Sequence, residues 1–112
     1  GQVNAVSVGG GHNCALLVNG TVRCWGDGGS GRLGYANLDS IGDNETPAAA
    51  GDVNLGASAL EVSAGRQHTC AVLSNQTFRC WGENSSGQLG YGNTDDVGDD
   101  EPPVAAGSVG VP

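Results

Sequence analysis

The chain has 112 residues with 21 glycines and five aromatics (two Trp, two Tyr, one Phe), so burial alone would stabilise an isolated domain weakly. Twelve acidic residues against four arginines and no lysine give a net charge of −8, which opposes DNA, RNA and anionic membranes as partners. No apolar run of about 18 residues and no basic-apolar leader is present, so the sequence reads as neither membrane-spanning nor carrying an export address; an exported chain would have its signal upstream of Gly1.

In chain order, the alternating stretch Ala5 to Val8, ended by Gly9 to Gly11, reads as a first strand. His12 to Leu17 and Thr21 to Trp25 follow around Asn19-Gly20, a hairpin signal; a three-residue loop with Gly20 left-handed sets Cys14 opposite Cys24. Gly26 to Gly34 is a glycine-rich turn, and an acidic loop after Tyr35 is closed by Pro47. Ala48 to Val53 is expected as a weak fourth strand at an edge.

The pattern then repeats. Val6 to Tyr35 returns as Val62 to Tyr91, 56 residues later and without insertion or deletion. Over the 51 positions that pair at this offset, 28 are identical. The second copy places strands at Leu60 to Ala64, His68 to Leu73, Thr77 to Trp81 and, weakly, Val104 to Val109; there Gln76 stands where Gly20 does. The chain therefore divides into two units, residues 1–56 and 57–112, that stack and cover apolar faces neither buries alone. About four short strands per unit, the middle two apolar on both faces, is the pattern of an all-β fold of propeller blades, because each blade is covered front and back.

Gly9-x-x-His12, Ala15-Leu16, Gly20-x-Val22, Trp25-Gly26 and Gly31-Arg32-Leu33-Gly34, with the second form Gly87-Gln88-Leu89-Gly90, resemble the repeat of the regulator of chromosome condensation (RCC1-like) family. The resemblance implies four-stranded blades of a β-propeller, most often seven-bladed. Members include guanine-nucleotide exchange factors and a bacterial inhibitor that binds an enzyme through its propeller face. Neither activity transfers residue by residue, because the surface loops that carry it are not matched here. The cysteines are outside the general pattern, and the acidic loops are longer and richer than usual. Two blades do not close a ring, so the chain is expected either to associate with itself, three copies giving six blades and four giving eight, or to be a fragment of a longer propeller.

Four cysteines allow three pairings. Bridges between units would span stacked sheets about 10 Å apart, beyond the roughly 7 Å limit between α-carbons, which favours Cys14 with Cys24 and Cys70 with Cys80. Each would staple its own hairpin and contribute about 2 to 3 kcal/mol. A zinc site from Cys14, Cys24 and His12 competes weakly, because the spacing lacks a C-x-x-C knuckle. Disulfides imply an oxidising location, so the protein is expected to be extracellular, periplasmic or at a cell surface.

His12 and His68 recur once per unit and are expected to hydrogen-bond the backbone of a neighbouring blade rather than to catalyse. Trp25 and Trp81 are expected to wedge between blades with their indole N–H groups satisfied by backbone. Gly34 and Gly90 belong to the same repeat framework. Tyr35 and Tyr91, at loop starts, are better surface candidates.

Asp39, Asp43 and Glu45 become Asp95, Asp96, Asp99, Asp100 and Glu101, whose clustered carboxylates around Gly98 are the candidate calcium ligands; a solvated, self-repelling loop competes with that reading. Asn19-Gly-Thr21, Asn75-Gln-Thr77 and Asn84-Ser-Ser86 match the N-glycosylation sequon, although turn chemistry explains them without sugar, and only a eukaryotic secretory origin would modify them. No nucleophile and base pair stands out, so no enzyme is expected. The sequence reads as a non-enzymatic scaffold for protein recognition, with a multivalent carbohydrate- or calcium-binding module as the alternative.

Overall fold

The computed structural model describes residues 2–110. Two antiparallel sheets form, β1 (Val3–Val8), β2 (His12–Leu17) and β3 (Val22–Gly26), then β4 (Ala59–Ala64), β5 (His68–Leu73) and β6 (Phe78–Gly82), each ordered as in sequence. Their registers are equivalent: Cys14 pairs with Cys24 as Cys70 does with Cys80, and a bulge follows the first residue of both β1 and β4. Gly20 at φ 87° and Gln76 at φ 70° make the hairpin turns left-handed in both units, the second with a side chain that tolerates this conformation less well.

The expected fourth strands do not form. Pro47–Ala50 and Pro103–Ala106 are instead single helical turns, α1 and α2. Proline at the first helical position presets φ, and the Thr46 side chain accepts from Ala49 N at the start of α1. The edge beside β3 is met by a bridge between Gly26 and Ile41, by the Tyr35 hydroxyl at Cys24 N and by Val53 N donating to Val22 O at 2.8 Å. Gly82 with Val97, and Val109 with Phe78, repeat this at β6.

The units pack face to face as an open piece of a propeller. β2 turns Cys14 and Leu16, with Val22 and Cys24 of β3, toward the second unit, whose Thr69, Ala71, Leu73 and Trp81 meet them; all eight are buried. Period-two alternation assigns these side chains, because neighbouring residues of a strand point to opposite faces. Ala59 N donates to Gly20 O at 2.7 Å and Ala64 N to the Ser7 hydroxyl at 2.8 Å, tying β4 to the first unit. No helix among the described residues is long and apolar enough to cross a membrane.

Candidate functional site

The interface between units contains a polar relay. Thr69 Oγ1 donates to Arg32 O at 2.8 Å, so its one proton is used, and it accepts from His12 Nε2 at 2.8 Å. His12 therefore reaches a side chain of the neighbouring unit, because Thr69 rises from the facing strand to meet it. Its Nδ1 is buried without a partner among the described residues. Burial holds the His12 pKa below its ordinary value, and the Arg32 guanidinium adds to the effect. His68, the counterpart, is half-buried.

Trp81 is fully buried between the units, as a wedge should be. A Cβ on Gly34 would lie 2.8 Å from its Nε1 and one methyl of Val53 is equally close to that point, so the first unit cups the ring with backbone and an aliphatic side chain. The indole N–H finds no acceptor among the described residues, which corrects the expected backbone bond; the cup is apolar. Trp25 differs from its counterpart. It is half-buried beside a hollow lined by Val3, Ala15, Leu17, Pro47 and Ala48.

This contrast runs through both outer faces. Leu16 is 3% exposed where its counterpart Val72 is 40%, and Ala59 is 4% where Val3 is 55%. The outer face of the first unit thus carries the Trp half of the interface, and the outer face of the second carries the half that receives it.

Cys14–Cys24 and Cys70–Cys80 are disulfide-bonded across the hairpins, with α-carbons 4.1 Å apart in each. Cys14 and Cys24 face the covered interface; Cys70 lies on the outer face of the second unit, beside Val62, Val72 and Phe78. With both thiols of each hairpin engaged in a disulfide, Cys14, Cys24 and His12 do not form a zinc ligand set.

The tyrosines point inward. Tyr35 Oη accepts from Cys24 N at 3.1 Å and donates to Gly51 O at 2.9 Å; Tyr91 Oη does the same with Cys80 N and Gly107 O. Burial raises both phenol pKa values. Their hydroxyls tie the chain beyond each acidic loop to β3 or β6, which removes them as surface ligands.

The acidic loops converge on one end of the sheets. Gly26 bridges Ile41, Gly28 N donates to Ser40 Oγ, and Asn84 N donates to Asp96 Oδ1, so each loop folds over the exit of β3 or β6. Ten of the twelve acidic residues (Asp27, Asp39, Asp43, Glu45, Glu83, Asp95, Asp96, Asp99, Asp100, Glu101) belong to segments at this end. Asp52 pairs with Arg23 at 2.8 Å farther along the sheet, and Glu61 lies within β4. The loop of the second unit also touches the first, since a Cβ on Gly31 would collide with Asp99 N.

Asp99, Asp100 and Glu101 each bring a carboxylate oxygen within 4.8 Å of the others. Asp95 and Asp96 line the same hollow without joining that group. Burial pushes the Glu101 pKa up, against the Gly98 N–H that donates to it, and the neighbouring Asp100 and Asp99 push the same way. In the first unit Asn44 stands where Asp100 does, so the cluster occurs once, contrary to a ligand site repeated in every blade.

Asn84 is a structural residue that the sequon reading missed. It is fully buried; its Nδ2 donates to Asn93 O, Asn93 Oδ1 and Asp95 O, and its Oδ1 accepts from Leu89 N. One buried amide therefore shapes the acidic loop of the second unit. Its counterpart, Gly28, gave no sequence signal for this.

The profile of the "Regulator of chromosome condensation (RCC1) repeat" matches residues 3–32 and 60–88. The chain is 36% identical over 93 residues to the human "Probable E3 ubiquitin-protein ligase HERC6", covering 80% of this chain and 8% of that protein. It is 34% identical over 96 residues to the Arabidopsis thaliana "Ultraviolet-B receptor UVR8", covering 85% and 21%. Yeast Prp20p shares the fold at TM-score 0.69 and 18% identity, over 90% of this chain and 25% of that one. Human WBSCR16 does so at TM-score 0.68 and 18%, over 89% and 25%. The chain thus spans a quarter or less of the length of these proteins. With the profile covering more than half of its residues, in two equivalent units of one open propeller, the chain belongs to the RCC1 repeat family.

Proposed function

We propose that this chain is a non-enzymatic propeller scaffold for protein–protein recognition, extracellular, periplasmic or at a cell surface, with its acidic end as the recognition face. The gathering of ten of twelve carboxylates at one end carries this reading, because a single-sign surface steers and orients a cationic partner. Yeast Prp20p, which shares the fold, has binding properties to Gsp1p and histones, which supports a protein as the partner. The two disulfides support an oxidising compartment. Titration with a Lys/Arg-rich peptide tests the face: affinity should fall steeply with salt and weaken several-fold in Asp99→Asn/Asp100→Asn/Glu101→Gln. An affinity indifferent to both would contradict the proposal.

The same reading has the outer faces covered by a second copy, docked head to tail. The face carrying Trp25 is the equivalent of the one that carries Trp81, and the face carrying Val72 is the equivalent of the one that receives Trp81, so the first face of one copy fits the second face of the next. Three or four copies would close six or eight blades.

A second reading is a calcium-binding module. The approach of the Asp99, Asp100 and Glu101 carboxylates within 4.8 Å favours it, with Asp95 and Asp96 beside them.

A further inference from the structure

The three sequons differ in ways the sequence does not reveal. Asn19 and Asn75 are exposed at the tips of the two hairpins. In each the Asn Oδ1 accepts twice, from the backbone N–H and from the hydroxyl of the threonine two residues on, the latter at 2.8 Å for Asn19. That arrangement holds the amide by its oxygen alone. Among the described residues no hydrogen bond engages either Nδ2, and both asparagines are exposed. Asn84 is the reverse case: fully buried, with the two Nδ2 hydrogens shared among three acceptor oxygens of Asn93 and Asp95.

We infer that Asn19 and Asn75 are acceptor sites for an N-linked oligosaccharide and that Asn84 is not. The inference rests on the proposed exported setting, since the donor, a polyprenyl-pyrophosphate-linked oligosaccharide, is used on the non-cytosolic side of a membrane. In the transfer the Asn Nδ2 forms a bond to the anomeric carbon, the bond from that carbon to the pyrophosphate oxygen breaks, and the polyprenyl pyrophosphate leaves with the electron pair of that bond. The amide proton passes to a base of the transferase. The threonine hydroxyl, donating to Oδ1, fixes the side chain in one orientation, with Nδ2 presented away from the turn.

Placement fits the recognition role. Both hairpin tips lie at the end of the sheets opposite the acidic loops, so the attached sugars leave the carboxylate-rich face open. A glycan on Asn19 would also cover Val18, which is 64% exposed. At Asn84 a glycan would replace one of the two Nδ2 hydrogens that hold Asn93 and Asp95 at the start of the acidic loop.

The test is expression behind a cleavable secretion leader in cultured animal cells, with the chain recovered from lumen and medium together and weighed intact before and after peptide-N-glycosidase. Two glycans are expected. Asn19→Gln and Asn75→Gln should each remove one, as should Thr21→Ala and Thr77→Ala, while the double Asn variant carries none. Translocated, disulfide-bonded protein unmodified at both positions would overturn the inference, and so would folded protein carrying sugar on Asn84. Failure of the exported setting is a separate result: four free thiols in protein purified without reductant from its natural source would refute that setting and leave the acceptor geometry standing.

Discussion

Trp81 of the second unit fills the space that a side chain on Gly34 of the first would occupy: a Cβ there would stand 2.8 Å from Nε1 and 3.1 Å from Cδ1 of the indole. Gly34 also sits at φ 87°, a left-handed conformation that resists any side chain. The ring and the missing Cβ are one fitted contact. Neither Trp25 nor Gly90 has such a partner among the described residues.

Gly34→Ala should therefore cost about 1–3 kcal/mol more than Gly90→Ala, because overpacking adds to the shared backbone strain. Gly90 is at φ 84°, and its added Cβ would meet only a Val109 methyl at 3.0 Å. Trp81→Ala should cost about 3–5 kcal/mol. Trp25→Ala should cost clearly less in the isolated chain. Urea unfolding of the four variants checks the ranking.

Thr69→Val would orphan both the Nε2–H of His12 and the carbonyl of Arg32, at a cost of about 1–3 kcal/mol. Acid should reach the same relay. The folded-state pKa of His12 lies below 6.5, so the unfolded chain takes up the proton first. Its contribution is complete above about pH 6.5 and declines as pH falls toward the lower folded value. Glu101, raised in the fold, acts in the opposite sense, since its folded form binds the proton more readily. His12→Gln isolates the histidine: the slope of stability against pH below neutrality should flatten relative to the parent.

The two disulfides should differ in access. Cys14 and Cys24 are fully buried under the second unit, whereas Cys70 is half-buried on an outer face. Under limited reductant and alkylation of the unassembled single chain, mass spectrometry should find label at Cys70 and Cys80 before Cys14 and Cys24. Equal labelling would mean the units separate faster than the reagent acts.

Calcium at millimolar concentration should raise the melting temperature if the Asp99, Asp100 and Glu101 group holds it, and Asp99→Asn/Asp100→Asn should abolish the rise. No shift retires the second reading and leaves the acidic end as a protein-facing surface.

Strand positions and cysteine partners were legible because alternation and an Asn-Gly turn act over a few residues. So was the wedge of Trp81, since a duplicated unit with two apolar faces implies a neighbour. Other features depend on the fold bringing distant segments together. Ala48 to Val53 looked like an edge strand, yet Pro47 before it presets helical φ, and of its backbone N–H groups Val53 is the one that donates to β3. His12 finds Thr69 across 57 residues, and the charge of separate loops meets at one end only once the sheets stand side by side. Asn84 matched a surface motif while serving as a buried anchor; its exposure was set by the fold of the loop over it.

The solution mass of the chain, measured by light scattering over a range of concentrations, tests most directly whether the Trp81–Gly34 contact is repeated at the outer faces. The expected result is a trimer or tetramer that Trp25→Ala reduces to lower mass while the internal contact keeps each copy folded. A monomer at every concentration, with Trp25→Ala indistinguishable from it, would contradict the head-to-tail completion of the propeller.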